Sequence, residues 1–121
     1  MTQTSKAVEV LVLLLEKSTK TVHIDCEAFS KMEKLRILKI CQREPKDSEE
    51  SFQLPVNFSG RLVFLSNELR LMYWHGYPFK FLPSDFYPEN VVVIDLSYSN
   101  IESFWTTPKV FTFSYIHHFL S

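Results

Sequence analysis

The sequence predicts an α/β fold, a solenoid in which each short repeat adds one strand to a parallel sheet. Two observations predict it. The first is a recurring pattern: apolar, two residues, apolar, one residue, apolar. It stands at Leu35, Leu38 and Ile40 in LRILKI, at Leu69, Met72 and Trp74 in LRLMYW, and at Val91, Ile94 and Leu96 in VVVIDL. A looser copy is Val8, Leu11 and Leu13 in VEVLVL. The second observation is the spacing. The last two full copies begin at Leu69 and Val91, a step of 22, and the earlier steps are 27 and 34.

The shorter step falls inside the leucine-rich repeat period of about 20–29 residues, and the longer ones imply extra residues in the early repeats. The pattern has a geometric reason. Side chains alternate across a strand, so the apolar pair two apart points into the core and the residues between them point outward. The predicted core is Leu35, Leu38, Ile40, Leu69, Met72, Trp74, Leu82, Ile94, Leu96, Ile101 and Trp105. After each strand the chain turns and an apolar group returns to the core. In the third repeat that group is Phe79, Leu82 and Phe86, and in the fourth it is Ile101, Phe104 and Trp105. Asn100 suits the turn before Ile101, because its amide bonds nearby backbone.

The run Val10–Leu15 is read as a buried strand; it is too short for a membrane span, and no small-residue cleavage site follows it. In CEAFSKMEKL, Ala28, Phe29, Met32 and Leu35 have helical spacing, so a short helix is expected on the convex side. Pro78, Pro83 and Pro88 exclude a long helix in the third repeat, leaving single turns or 3₁₀ pieces. The organisation is an N-terminal extension at 1–7, about four strands over 8–105 and a tail at 106–121. A charged loop is inserted at 42–61, densest in 42–51 around Pro45. The parallel sheet lies on the concave face, with short helices or 3₁₀ turns on the convex face.

Composition narrows the function. The chain has 121 residues, 45% apolar and 22% charged, which fits one globular domain rather than a disordered tail. A net charge of −1 offers no basic face for nucleic acid. Two glycines cannot build a glycine-rich phosphate loop. Cys26 and Cys41 make no disulfide framework and fit a reducing compartment. His23 and Cys26 have a ligand-like spacing but lack the rest of a four-ligand zinc set, so no metal is expected. No base or oxyanion site is evident for either cysteine. Asp85 and Glu89, near Pro88, are a paired carboxylate only formally. Trp74, His75 and Tyr77 suggest a small-molecule pocket. The core-and-turn reading is preferred, with Gly76 supplying a permissive backbone angle. No catalytic residue and no cofactor are expected.

The outward positions of the strands are the predicted protein-contact face: Val10, Val12, Ile37, Lys39, Leu71, Tyr73, His75, Val93, Asp95 and Ser97, with Leu14 and Cys41 beside them. One row across the repeats, Val10–Ile37–Leu71–Val93, is entirely apolar, as at an interface. Two rival readings stand: a register slipped by one residue would exchange the faces, or neighbouring loops cover the row.

The run LSNELRLMYWHGYPFKFLPSDFYPENVVVIDLSYSNIESFW, residues 65–105, resembles the start of the repeat domain in plant TIR–NB–LRR disease-resistance proteins, relatives of the tobacco mosaic virus resistance protein N. The specific motifs are Trp74-His75-Gly76-Tyr77-Pro78 with Leu82-Pro83, and Tyr98-Ser99-Asn100-Ile101 followed by Trp105. AFSKMEKLRILKI at 28–40 is similar to the preceding repeat, and AVEVLVLLLEKS at 7–18 to the strand leaving the nucleotide-binding region. The resemblance implies a segment that senses pathogen effectors and restrains the adjoining nucleotide-binding domain in plant defence. Its partners would be that domain, an effector or a host guardee, with no nucleic acid, membrane or metal, and its place the cytoplasm or nucleus.

The family's NAD-cleaving TIR domain and its NB-ARC module are absent from these residues, so no residue here inherits their roles. After Trp105 the similarity stops. The tail TTPKVFTFSYIHHFLS is either read-through or a divergent last repeat. Its apolar residues either fold over Phe104 and Trp105 as an improvised cap or leave the end exposed. Met1 just before the first repeat favours a stand-alone truncated receptor acting as adaptor or decoy. The unmatched tail favours a non-functional gene fragment. An enzyme is the weakest reading.

Overall fold

The computed structural model describes residues 6–16, 20–43, 54–103 and 115–120. The fold is mixed α/β and dominated by parallel strands. In chain order the elements are β1 (Val10–Leu15), β2 (Val22–Asp25), α1 (Glu27–Ser30), β3 (Ile37–Gln42), β4 (Val56–Ser59), β5 (Leu71–Trp74), β6 (Val93–Ser99) and β7 (Tyr115–Leu120). The main sheet has the order β1-β3-β5-β6-β7, so each new strand joins on the same side of the last. The second sheet is the pair β2-β4, also parallel.

The register reproduces the spacing of the sequence pattern. Val10 pairs with Ile37, Ile37 with Leu71 and Leu71 with Val93. Each pairing advances along the chain by the same step as the matching copies of the pattern, from Val8 to Leu35 to Leu69 to Val91. The second sheet obeys the same rule, since the advance from Val22 to its partner Val56 equals that from Ile37 to Leu71. The ladder is seated by short main-chain bonds at the strand starts. Arg36 N–H donates to Glu9 O at 2.7 Å, Arg70 N–H to Arg36 O at 2.8 Å and Val92 N–H to Arg70 O at 2.7 Å.

The core lies on one side of the main sheet. Leu38, Ile40, Met72, Trp74, Ile94 and Leu96 are fully buried there, joined by Leu35, Leu69, Leu82, Val91 and Ile101. Each such side chain removed from water contributes roughly 1.5–3 kcal/mol. Trp74 is the centre of an aromatic cluster. Its ring lies 5.2 Å from Phe29 of α1, 5.3 Å from Phe58 of β4 and 4.9 Å from Tyr77, edge-on. Such tilted and edge contacts match positive ring edges to negative faces. Buried Tyr77 donates its hydroxyl to Phe81 O at 2.8 Å, which satisfies the one polar atom it carries into the core.

α1 is a single turn. Asp25 Oδ1 accepts from Glu27 N–H at 3.0 Å at its start, and Phe29 is its buried anchor. Gly76 closes β5 with φ +76, a left-handed angle that costs glycine little. Its N–H donates to Ser97 O at 2.9 Å, tying the end of β5 to β6.

Several expectations are corrected. Val10–Leu15 is not a buried strand: it is the edge of the main sheet, and only Leu15 is buried. Beside the helix, the layer over the core holds the two-stranded sheet; among the described residues no 3₁₀ helix forms. β4 sits inside the segment 42–61 expected to be an inserted loop. Of the charge-dense stretch 42–51, residues 44–51 lie outside the described residues, as do Phe104, Trp105 and the rest of 104–114. Within 8–105 the main sheet has four strands, β1, β3, β5 and β6, and β7 from the tail adds a fifth beside β6. Val93 pairs with Tyr115, and this advance repeats the one from Leu71 to Val93.

Leu96→Asp places a charge among fully buried apolar groups, where the desolvation penalty exceeds the stability of a small domain. The variant is expected to lose soluble expression. Wild-type yield with an unchanged circular dichroism spectrum would show that Leu96 is not a core residue.

Candidate functional site

The opposite side of the main sheet is open. Alternation along β1 leaves Val10, Val12 and Leu14 at 54%, 43% and 52% exposure. Ile37, Lys39 and Cys41 on β3, Leu71 and Tyr73 on β5, and Val93 and Asp95 on β6 are half-buried. The register aligns them in rows. One is Val10–Ile37–Leu71–Val93, entirely apolar; the next is Val12–Lys39–Tyr73–Asp95, mixed. At the starts of the strands the apolar row borders a shallow cavity of about 410 Å³, floored by Val10, Ile37, Leu71 and Val92 and rimmed by Arg36 and Arg70. Beyond it a polar cavity of about 680 Å³ carries both signs of charge, including Lys34, Glu68 and Glu89.

The mixed row is held in place by local pairing. Lys39 Nζ lies 5.0 Å from the centre of the Tyr73 ring, within cation–π range. Asp95 Oδ2 is 3.3 Å from His75 Nε2. Asp95 Oδ1 accepts from Ser97 N–H at 3.0 Å and from the Ser97 hydroxyl at 2.5 Å. Burial pushes the Asp95 carboxyl up. The two Ser97 bonds and His75 outweigh burial, and together they hold it below the ordinary carboxylate range.

Both cysteine thiols are raised above their ordinary value. Burial pushes the Cys41 thiol up, Lys39 pulls it down, and Asp95 raises it again, for a net rise. Cys26 is raised by burial and by Asp25. Both therefore stay protonated at neutral pH. Among the described residues no group of three or more His, Cys, Asp or Glu side chains is placed to hold a metal ion. Nor is any helix there long and apolar enough to cross a membrane.

Ser97 is buried, bonded through its N–H and hydroxyl to Asp95 of the open face. The ladder between β6 and β7 shifts after Leu96, and Tyr98 takes a left-handed φ of +63. The Ser97 hydroxyl bonds Asp95, and Tyr98 beyond it is 47% exposed. The Tyr98 ring meets His75 edge-on at 5.9 Å. Strand alternation alone gives no sign of this arrangement. Arg36 and Arg70, at the rim of the apolar cavity, are no part of the expected contact face. Their signal was present, since each follows the first apolar position of its repeat, in LRIL and LRLM.

No family model matches the chain, and no solved structure matches it. Known proteins do. The chain is 37% identical over 102 residues to disease resistance protein RRS1 of Arabidopsis thaliana, a match covering 84% of this chain and 8% of that protein. It is 33% identical over 99 residues to disease resistance-like protein DSC1 of the same plant, covering 81% and 8%. With disease resistance-like protein CSA1, also from Arabidopsis thaliana, it shares 40% identity over 83 residues, covering 68% and 7%. The chain thus spans less than a tenth of the length of these relatives. Over most of its own length it is homologous to one short segment of the plant TIR–NB–LRR disease-resistance proteins.

Proposed function

We propose that this chain is a leucine-rich repeat segment of a plant intracellular immune receptor, a short solenoid whose open sheet face binds protein. In this reading it helps to sense a pathogen effector or a guarded host protein. It also restrains the receptor's nucleotide-binding domain until that signal arrives. The observation that carries the reading is the apolar row Val10–Ile37–Leu71–Val93, exposed at Val10 and half-buried at the other three, on the side of the sheet away from the packed core. Contiguous exposed apolar surface marks interaction sites in otherwise well-packed domains. Tyr73 beside the row is an aromatic of the kind that dominates interface energetics. The homologues, named for disease resistance, supply the biological setting. The raised thiols of Cys26 and Cys41 favour binding over catalysis.

The test is direct binding by calorimetry between this chain and the nucleotide-binding domain of the receptor that carries it. Tyr73→Ala and Leu71→Glu are expected to weaken binding at least about tenfold, or ~1.4 kcal/mol, with unchanged circular dichroism. No binding by the wild-type chain would remove the restraint reading. Unfolding by Tyr73→Ala would show that Tyr73 is structural rather than a contact.

Asp95 gives the face a defined pH response. Its folded pKa is depressed, so its contribution to stability is complete above the ordinary carboxylate value, about 3.9. The contribution is lost as pH falls through the lower folded value. Asp95→Asn is therefore expected to cost about 1 kcal/mol at pH 7. The gap from wild type should close toward pH ~2. Urea denaturation at both pH values checks this; an equal gap at both would show that Asp95 acts through packing alone.

A further inference from the structure

A separate cleft lies away from the open sheet face, in the layer over the core. It forms between two successive connections, at residues 61–63 after β4 and 79–84 after β5. Its volume is about 350 Å³. Leu62, Phe79 and Leu82 line it, and all three also pack into the core. Val63, which is 58% exposed, lines it too. Both bounding connections belong to the middle of the described chain. The next part of the chain reaches the second of them, since Glu102 N–H donates to Lys80 O at 2.9 Å. The cleft is therefore a groove between neighbouring repeats and not an end of the strand order.

Its walls are held by main-chain bonds. The Tyr77 hydroxyl donates to Phe81 O at 2.8 Å, and Phe86 N–H donates to Pro83 O at 3.0 Å. The Phe79 ring meets Tyr77 edge-on, with centroids 5.5 Å apart. A ligand thus meets a formed surface, and little ordering cost opposes its binding.

Two cations line the cleft, Arg61 and Lys80, one from each connection, and no carboxylate does. Both are exposed, and neither makes an ion pair with a described residue. Other cations of the surface have acids beside them, as Arg36 has Glu9 and Arg43 has Glu16. The cleft joins apolar walls to uncompensated positive charge. That charge selects among occupants. Nucleic acids are held through many phosphates, and anionic membranes through clusters of about 4–8 Lys and Arg. Such extended polyanions also meet the field of the whole chain, whose net charge is −1. A short segment meets the local pair alone.

We propose that this cleft takes an extended acidic segment of a partner protein, with a carboxylate on either side of a large apolar residue. The apolar side chain lies against Leu62, Phe79 and Leu82. One carboxylate pairs with Lys80, and the other with Arg61, whose guanidinium fork suits a bidentate bond. No outward residue of the main sheet lines the cleft, so the proposal stands or falls apart from the binding reading above.

Fluorescence anisotropy at low ionic strength tests it on the 121-residue chain. The probes are three labelled, capped peptides, each with two Asp residues separated by one, two or three Leu residues. At least one is expected to bind, and its Asn counterpart to bind at least about tenfold more weakly, a comparison that needs no variant. Arg61→Glu and Lys80→Glu are each expected to weaken binding at least about tenfold with unchanged circular dichroism. The double variant is expected to prefer the Lys counterpart of the same peptide. Tyr73→Ala, on the open face, is expected to leave the affinity unchanged. Absence of binding by all three peptides up to about 1 mM overturns the proposal. So does equal affinity for the Asn peptide, full affinity in the double variant, or loss of binding in Tyr73→Ala. Wild-type chain that sediments with phosphatidylserine–phosphatidylcholine vesicles, and is released from them by Arg61→Glu, assigns the cleft to a membrane and overturns it as well.

Discussion

The parallel ladder between successive repeats is the constraint on which the rest of the structure depends. Each strand start donates to the strand before it, from Arg36 to Glu9, from Arg70 to Arg36 and from Val92 to Arg70. Those bonds fix the register, and the register decides which side chains face the core. A slip of one residue would carry Leu38, Met72 and Ile94 into solvent and draw Lys39, Tyr73 and Asp95 inward. The burial of three charged or polar groups, with three apolar ones exposed, makes the observed register the only stable one.

The ladder holds across unequal steps, and the described parts of the two longer connections carry elements that pack against the core. Between β1 and β3 these are β2 and α1. Between β3 and β5 the element is β4, which pairs with β2 so that Ile24 and Phe58 both pack against the core. Trp74 links the two layers through Phe29, Phe58 and Tyr77. Its indole N–H is buried without a hydrogen-bond partner among the described residues, a local cost that the aromatic contacts around it offset. Between β5 and β6 the step is short and turns suffice, with Gly76 tied to Ser97 and Glu102 to Lys80.

One-sided packing also explains the functional surface. A sheet whose strands all direct one set of side chains into a shared core leaves the other set open by construction. In this chain that set is rich in Val, Ile and Leu near the strand starts and polar further along, so the face is graded from apolar to charged. Arg36 and Arg70 extend the grading to the rim, and the Lys39–Tyr73 and His75–Asp95 pairs order its polar side.

The sequence by itself determined the repeat steps, the core positions of three repeats and the short helix at Phe29, because apolar periodicity records directly which side chains must leave water. It also carried the homology to disease-resistance proteins, in motifs such as Trp74-His75-Gly76-Tyr77-Pro78. Other features were decided only by the tertiary structure. β2 and β4 are short and have no distinctive pattern, and they exist because Val22–Asp25 meets Val56–Ser59 one long repeat further on. β7 is not legible in the sequence because the position paired with Leu96 is His118, which breaks the apolar pattern, although the step of the pattern persists. The burial of Ser97 beside an exposed Tyr98 with a left-handed φ of +63 is not encoded by alternation. The exposure of β1 follows from its place at the end of the strand order. A hydrophobic run specifies a strand, but only the number of neighbours the fold gives that strand decides how much of it is buried.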